Sequence, residues 1–187
     1  MSMINSTVRP FSTLVYKKGA IWEMTDQTLK GKWSVIVFYP GDFTPVCATE
    51  IEDFIENYKT FADMGVEIYG CSIDSVYVHQ QWMRHSHFSA EAQFSLIGDT
   101  THAVCKAFDV FNEAKGCADR SSFVVAPDLT IKMIEINDSS VGRNSDELRR
   151  KIEALQYLAK NPNHFCPAKW TPSHDTLRPS LNLMGKI

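Results

Sequence analysis

The sequence predicts an α/β protein in which helices cover both faces of one mixed β-sheet. Residues 33–39 form an almost wholly apolar run of β-branched and aromatic side chains, typical of a strand buried on both faces. Such runs alternate with segments whose apolar residues recur every three or four positions, as in amphipathic helices. With 187 residues, 44% of them hydrophobic, the chain can bury the core of one ordinary domain.

The first half of the chain indicates a hairpin, a buried strand and a long helix. Residues 11–16 and 21–25 flank a Lys-Lys-Gly-Ala turn, which predicts a β-hairpin near the N-terminus. The buried strand 33–39 ends at Pro40, which begins a loop. A helix is expected next, with an apolar stripe formed by Ile51, Phe54, Ile55, Tyr58 and Phe61.

The second half continues the alternation of strand and helix. The expected order is strand 66–71, helix 75–84, strand 93–97, strand 121–126 and strand 131–136. Asp99 is expected to cap an additional short helix that runs through Phe108. Pro127 and Asp128 separate the last two strands, which therefore indicate an antiparallel hairpin.

The C-terminal region divides into a helix and an arm. Asn144 or Ser145 caps the last long helix, and two acidic residues in its first turn suit the helix dipole. Four prolines follow this helix, and no helical period accompanies them, so an extended arm is expected. We therefore predict a main domain over residues 1–160 and a C-terminal arm over residues 161–187.

Composition excludes several classes of partner. The 19 basic and 22 acidic residues give a formal net charge of −3, and the pI is near 6.1. Neither nucleic acid nor a membrane surface is therefore an expected partner. No apolar run approaches the roughly 20 residues of a membrane span. The N-terminus lacks the basic and apolar regions of a signal peptide, so a cytoplasmic location is expected.

The five cysteines, at positions 47, 71, 105, 117 and 166, include no Cys-x-x-Cys pair. Neither a structural zinc site nor a secreted disulfide framework is therefore predicted. Cys71 lies in an apolar strand and is expected in the core, and Cys105 is expected to be half-buried. Cys117 falls in a predicted polar loop near Arg120, and no role is assigned to it.

Three histidines lie close together in the sequence. His79, His85 and His87, with Glu91 nearby, do not repeat a known spacing of metal ligands. A solvated helix end is therefore the better interpretation, and no metal site is predicted there.

Cys47 follows the junction between the buried strand and the long helix. In open α/β sheets, active sites commonly lie where the carboxyl end of a strand meets the next helix. The free N–H groups and positive dipole at a helix start favour a thiolate, the nucleophilic form of cysteine. Thr44 can place its hydroxyl on the same side, and Pro40 cannot donate a backbone hydrogen bond. Two interpretations stay open at this point: a reactive Cys47, or a buried cysteine that fills space beside the strand.

The segment Phe-Tyr-Pro-x-x-Phe-Thr-x-Val-Cys-x-Thr-Glu around Cys47 resembles the active-site loop of the peroxiredoxins, Pro-x-x-x-Thr-x-x-Cys. Other segments resemble the bacterial alkyl hydroperoxide reductase branch of the typical two-cysteine peroxiredoxins: residues 97–99, 118–120, 122–125, 156–157, 166–170 and 184–187. The resemblance runs from Ile4 to Ile187. It implies a thioredoxin-like (peroxiredoxin) fold and a thiol-dependent peroxidase that reduces hydrogen peroxide and organic hydroperoxides.

The resemblance also implies roles for individual residues. Cys47 corresponds to the peroxidatic cysteine, which is oxidised to a sulfenic acid. Cys166 corresponds to the resolving cysteine, which lies in the arm of a partner subunit and forms an intersubunit disulfide with Cys47. Thr44 corresponds to the residue that hydrogen-bonds the peroxide, and Pro40 to the residue that closes the pocket. Arg120 corresponds to the arginine that holds the thiolate and polarises the peroxide.

Two supporting roles and two departures from the family pattern complete the comparison. Glu50 corresponds to a polar residue that supports the arginine, and Trp82 to an aromatic residue near the pocket. The family usually carries Phe or another apolar residue at position 45 and Pro at position 48, where this chain has Pro45 and Ala48. Neither change removes a reacting group, so their expected effect is on how readily the loop unfolds.

The resemblance implies no bound cofactor, no metal and two kinds of partner. One is the hydroperoxide substrate, and the other is a disulfide reductant. A flavoprotein reductase, thioredoxin and an alkyl hydroperoxidase D-type protein are all compatible reductants. A homodimer is implied, with five dimers closing a decamer. The alternative functions are a thioredoxin-like disulfide oxidoreductase, which would call for a Cys-x-x-Cys at the junction, and a holdase chaperone as a second role.

Overall fold

The structure of the protein, a computed structural model, describes residues 2–88, 90–180 and 183. It has a mixed seven-stranded sheet with helices between its strands, as the sequence predicts. The last four residues, which belong to the sequence resemblance, lie outside the described part of the chain. Within the described part, none of the helices combines the length and the apolar character needed to cross a bilayer.

The strands follow the predicted order with small shifts at their ends. The described residues contain β1 (Ser12–Lys17), β2 (Ala20–Thr25), β3 (Trp33–Phe38), β4 (Val66–Ser72), β5 (Ser95–Gly98), β6 (Phe111–Asn112), β7 (Cys117–Ala118), β8 (Ser121–Val125) and β9 (Ile131–Ile136). The large sheet has the order β2-β1-β5-β4-β3-β8-β9. Strands β3, β4 and β5 are parallel neighbours, and the other pairs are antiparallel. The short β6–β7 pair was not predicted, because two-residue strands leave no periodicity in a sequence.

Four α-helices are present in the described residues: α1 (Pro45–Asp63), α2 (Val76–His85), α3 (Ala103–Ala107) and α4 (Ser145–Lys160). Helix α3 begins later than expected, after His102, whose φ is 59°. The predicted capping by Asp99 is nevertheless present. Its two carboxylate oxygens accept hydrogen bonds from the backbone N–H groups of Val104 (2.9 Å) and Cys105 (2.7 Å).

Helices cover both faces of the sheet. On β3, Ile36 and Phe38 belong to one core cluster, in which the Phe38 ring lies 5.3 Å from that of Phe108, next to α3. On β4, both neighbours of Gly70 belong to the same cluster, so Gly70 faces the other way. A Cβ added at Gly70 would lie 3.5 Å from Ile51 in α1. Helices α1 and α3 therefore lie on opposite faces, which confirms the predicted layout.

The chain forms two compact units, one up to Arg143 and one from Asn144 onward. In the second unit the Asn144 side chain accepts a hydrogen bond from the Asp146 N–H at 2.8 Å, so the predicted cap of α4 is confirmed. After α4, Phe165 and Leu177 form an isolated β-bridge, and the rings of Trp170 and Tyr157 lie 5.2 Å apart. This part of the arm is therefore anchored to α4. The proposed boundary between residues 160 and 161 stays a prediction.

Candidate active site

Cys47 lies in the first turn of α1, at the end of the loop that follows β3. Thr44 occupies the N-cap position, and Pro45 stands at the first helical position, where its missing N–H costs no hydrogen bond. The fixed φ of Pro45 also suits a helix start, so this departure from the family pattern fits the local structure. Cys47 is only 1% exposed. The predicted placement of this cysteine at the helix start is therefore correct.

Arg120 reaches Cys47 from the neighbouring antiparallel strand. Because Ser121 at the start of β8 pairs with Phe38 at the end of β3, Arg120 lies beside the loop that carries Cys47. Its Nη1 is 3.6 Å from the Cys47 sulfur. Its Nε and Nη2 donate to the carbonyl oxygen of Ser139 at 3.2 and 3.0 Å. These bonds fix the plane of the guanidinium, which is 3% exposed.

Glu50 lies between two buried guanidinium groups. It accepts a hydrogen bond from Arg120 Nη1, and Arg143 donates to its two oxygens from Nε at 2.8 Å and Nη2 at 2.9 Å. The backbone N–H of Arg143 donates to it as well, at 2.9 Å. Two cations and one anion leave one positive charge in a buried site. The Cys47 sulfur lies beside that positive charge, 3.6 Å from Arg120 Nη1.

Arg143 is the residue of this buried network that sequence reasoning missed. It stands in a polar loop between Gly142 and Asn144, where no periodicity or motif marks it. The structure buries it to 8% exposure and ties it to Glu50 and to the carbonyl oxygen of Ser121. The one available signal was its place directly before a helix cap, which by itself does not indicate burial.

The loop before Cys47 is held by its own hydrogen bonds. The Thr44 hydroxyl donates to the carbonyl oxygen of Gly41 at 2.9 Å, so in this state its oxygen is left to accept a hydrogen bond. Pro40 is half-buried, two residues after the end of β3, and brings no N–H to the loop. Phe43 has a left-handed φ of 58°, which costs a residue with a Cβ about 1–2 kcal/mol. The loop therefore stays in place against local strain.

Trp82 lies beside a cavity of about 570 Å³ that runs along the start of α1. Its ring is 1% exposed and lies 5.8 Å from the ring of Tyr39 and 6.2 Å from that of Phe43. The cavity is lined by Phe43, Thr44, Pro45, Ala48, Thr49, Glu52, Asp53, Glu56, Trp82, Ser86, His87 and Phe88. Cys47 does not line this cavity, and its sulfur faces Arg120 instead, so the role of Trp82 near the peroxide pocket stays a prediction.

The other cysteines of the unit that ends at Arg143 are free thiols. Cys71 is fully buried, as predicted, and Cys105 is more deeply buried than expected. Their sulfur atoms and the Asp99 carboxylate lie within 4.8 Å of one another. Because Asp99 already caps α3, this cluster has a structural role. Burial raises the pKa of the Cys71 thiol, as does its hydrogen bond with Cys105. Cys117 lies in β7 rather than in a loop, half-buried.

The prediction that His79 lies at a solvated helix end was wrong. It is completely buried on the inner side of α2, and its Nδ1 lies 2.7 Å from Asp42 Oδ2. The helical spacing that places Val76 and Trp82 in the core also turns His79 inward. His85 and His87 are exposed, as expected of a solvated helix end.

Cys166 lies in the second unit, in the bridge-forming segment after α4. It is half-buried, and its sulfur lies 4.0 Å from the carbonyl oxygen of Ala154. Burial raises the pKa of its thiol, and the nearby Arg150 opposes this. The adjacent Phe165 is 55% exposed, so this segment lies at the surface of the unit.

Comparisons with known proteins show the family of this chain. The AhpC/TSA family profile matches residues 7–134. Alkyl hydroperoxide reductase C of Bacillus subtilis and that of Escherichia coli are each 42% identical to this chain over the full length of both proteins. The crystal structure of Enterococcus faecalis AhpC superposes with a TM-score of 0.85 at 37% identity, covering 89% of this chain and all of that one. The reduced 2-Cys peroxiredoxin of Plasmodium vivax gives a TM-score of 0.91 at 25% identity, covering 96% and 95%.

The fold and these relatives define the class first: this is a thiol-dependent peroxidase with a thioredoxin-like fold. Within that class, the chain belongs to the AhpC/TSA family. The resemblance found in the sequence and the predicted fold class are both confirmed.

Proposed function

We propose that Cys47 is the peroxidatic cysteine of this enzyme. The observation that carries the proposal is the position of its sulfur at the start of α1, 3.6 Å from a guanidinium nitrogen of Arg120. The thiolate attacks the terminal oxygen of hydrogen peroxide or an organic hydroperoxide, and the O–O bond breaks. The sulfur is oxidised to a sulfenic acid, and the departing hydroxide or alkoxide takes up a proton to become water or an alcohol.

The surrounding groups stabilise the charge that develops on the departing oxygen. Arg120 offers a fixed, planar donor group, and the first turn of α1 offers free N–H groups. Because the Thr44 hydroxyl proton is engaged by Gly41, its oxygen accepts the O–H of the peroxide and orients it. Pro40 shields the sulfur and closes the pocket. Glu50 and Arg143 act through Arg120 by fixing its position.

Cys166 completes the cycle as the resolving cysteine. Since Cys47 is 1% exposed, the loop and the first turn of α1 must open before another thiol can reach its sulfenic acid. The Cys166 thiol of a second copy then attacks that sulfur, a Cys47–Cys166 disulfide forms, and water leaves. The supporting observations are the sequence match around Cys166 and its place in a surface segment that lacks helix or regular strand.

The partners follow from this cycle. A peroxide is the substrate, and a disulfide reductant restores both thiols by thiol–disulfide exchange. A flavoprotein reductase, thioredoxin or an alkyl hydroperoxidase D-type protein would supply the electrons. An intersubunit disulfide requires at least a homodimer, and we propose a decamer of five dimers in the cytoplasm. None of these steps calls for a metal or an organic cofactor.

A single treatment with peroxide tests the two-cysteine cycle. Reduced wild-type protein given one equivalent of hydrogen peroxide is expected to run as a covalent dimer on a non-reducing gel. Cys166→Ser is expected to run as a single chain on the same gel, because the Cys47 sulfenic acid then has no resolving thiol. The quantity to compare is the fraction of dimer.

Cys117→Ser is the matched control, since it removes another half-buried thiol outside the proposed cycle. It should form the covalent dimer as the wild type does. A dimer that persists in Cys166→Ser, or is lost in Cys117→Ser, would contradict the assignment of Cys166.

A further inference from the structure

A buried acid–base pair fixes the middle of the loop that precedes Cys47. Asp42 lies between Pro40 and Thr44, and its side chain and that of His79 on α2 are both completely buried. Asp42 Oδ2 and His79 Nδ1 are 2.7 Å apart. Neither residue touches the sulfur or Arg120 in the contacts described above, so the proposed chemistry does not account for this pair.

Three elements of the fold meet at Asp42. Its Oδ1 accepts a hydrogen bond at 2.9 Å from the hydroxyl of Tyr39, the residue that directly follows β3. Its backbone N–H donates at 2.8 Å to Oδ2 of Asp74, which lies in the segment between β4 and α2. The Ser72 hydroxyl donates to the same Asp74 oxygen. The loop is thus bound through one residue to β3, to the β4–α2 connection and to α2 itself.

The hydrogen bonds of His79 determine how many protons the pair holds. His79 Nε2 lies 3.0 Å from the carbonyl oxygen of Ile97, which can only accept, so Nε2 carries a hydrogen. A hydrogen bond between Nδ1 and Asp42 then needs one further proton, on the ring or on the carboxyl group. Loss of that proton would place a buried carboxylate against a nitrogen lone pair. Burial raises the pKa of the Asp42 carboxyl, and the hydrogen bond from His79 opposes this.

We propose that the Asp42–His79 pair is a positioning device that holds the Cys47 loop closed through one shared proton. Asp42 and His79 are positioning residues for the proposed reaction of Cys47, on which this inference rests. The closed loop keeps Phe43 in its strained left-handed conformation and keeps the Cys47 sulfur against Arg120. Releasing Asp42 favours the open loop, because it removes the bond to α2 and relieves that strain.

The closed loop serves the oxidation of Cys47, and the open loop serves the formation of the disulfide. A variant that opens the loop should therefore change the rates of these two steps in opposite directions. His79→Leu leaves Asp42 buried without its proton-sharing partner. We expect the rate constant for oxidation of Cys47 by hydrogen peroxide, measured by stopped flow, to fall about tenfold or more. We expect the later rate of disulfide formation, measured by quenched flow and non-reducing gels, to rise several-fold. A purely structural defect would lower both rates.

Two further variants keep the test decisive. In Asp42→Asn, the side-chain amide can donate to Nδ1 of a neutral His79, so both rates should stay near those of the wild type. Asp42→Ala removes the Asp42–His79 bond from the loop side, so it should change the two rates as His79→Leu does. It therefore tests the inference even if His79→Leu folds poorly. His85→Leu, the same substitution at an exposed position of α2, is the control and should change neither rate.

The outcomes separate this inference from the proposed function. Unchanged rates in both His79→Leu and Asp42→Ala, or a fall in both rates together, would overturn the positioning role. Those results would leave Cys47 as the peroxidatic residue. Full activity in Cys47→Ser would instead overturn the proposed function, whatever the Asp42 and His79 variants do.

Discussion

Replacing Cys47 by Ser is expected to lower kcat/KM for peroxide reduction by roughly 10³-fold or more, the scale seen when a nucleophile is removed. A serine hydroxyl is far less nucleophilic than a thiolate, and no side chain described near Cys47 is placed to activate it as a base. Arg120 at 3.6 Å can only donate, so it cannot take the hydroxyl proton. The substitution changes one atom of a buried side chain, so the fold should persist.

Steady-state peroxide consumption with an excess of a small dithiol measures this loss. Cys71→Ser is a poor control because its thiol is fully buried, whereas half-buried Cys117 can be changed to Ser with little effect on packing. Cys117→Ser should keep nearly all activity. If Cys47→Ser retains more than about a tenth of it, the reacting group is another residue.

Arg120→Lys is expected to lower kcat/KM by about 10²-fold or more, as when a single charge-stabilising donor is lost from an active site. The charge is conserved, but an ammonium group has no planar fork. It cannot bond the Ser139 carbonyl and Glu50 while also facing the Cys47 sulfur, as the guanidinium does. The departing oxygen therefore loses a fixed donor, and the cation is no longer held in a fixed position against the reacting sulfur.

Rates at several peroxide concentrations separate kcat from KM, and a thermal unfolding curve reports whether the buried network survives. Arg9→Lys is the matched control, because Arg9 makes a two-point contact with Asp109 on an exposed surface. Its activity should equal that of the wild type. Full activity in Arg120→Lys would show that a positive charge suffices and that the fixed geometry does not matter.

The sequence was most informative where one local pattern repeats over many residues. The apolar run 33–39, the helical stripe through Ile51 and the turn before Ala20 each predicted an element that the structure contains. The same reasoning placed Cys47 in the first turn of a helix after a strand, which is a local property. The start of α3 shifted because the Asp99 carboxylate reaches N–H groups five and six residues further along, past His102 with its left-handed φ.

The composition of the site beyond Cys47 depends on residues far apart in the chain. The motif match suggested Glu50 and Arg120, but nothing in the sequence pointed to Arg143, whose side chain meets Glu50 across 93 residues. His79 looked like a solvated residue until the packing of α2 turned it toward Asp42.

By itself, the sequence determined the order of the elements, the α/β class, the family and the cysteine at the helix start. The tertiary structure alone decided which charged groups are buried together and which loop bonds hold that cysteine. The reason is physical: periodicity and helix capping act between near neighbours in the chain. The burial of a charge, in contrast, depends on a partner of opposite charge or a hydrogen bond that only the folded chain brings within reach.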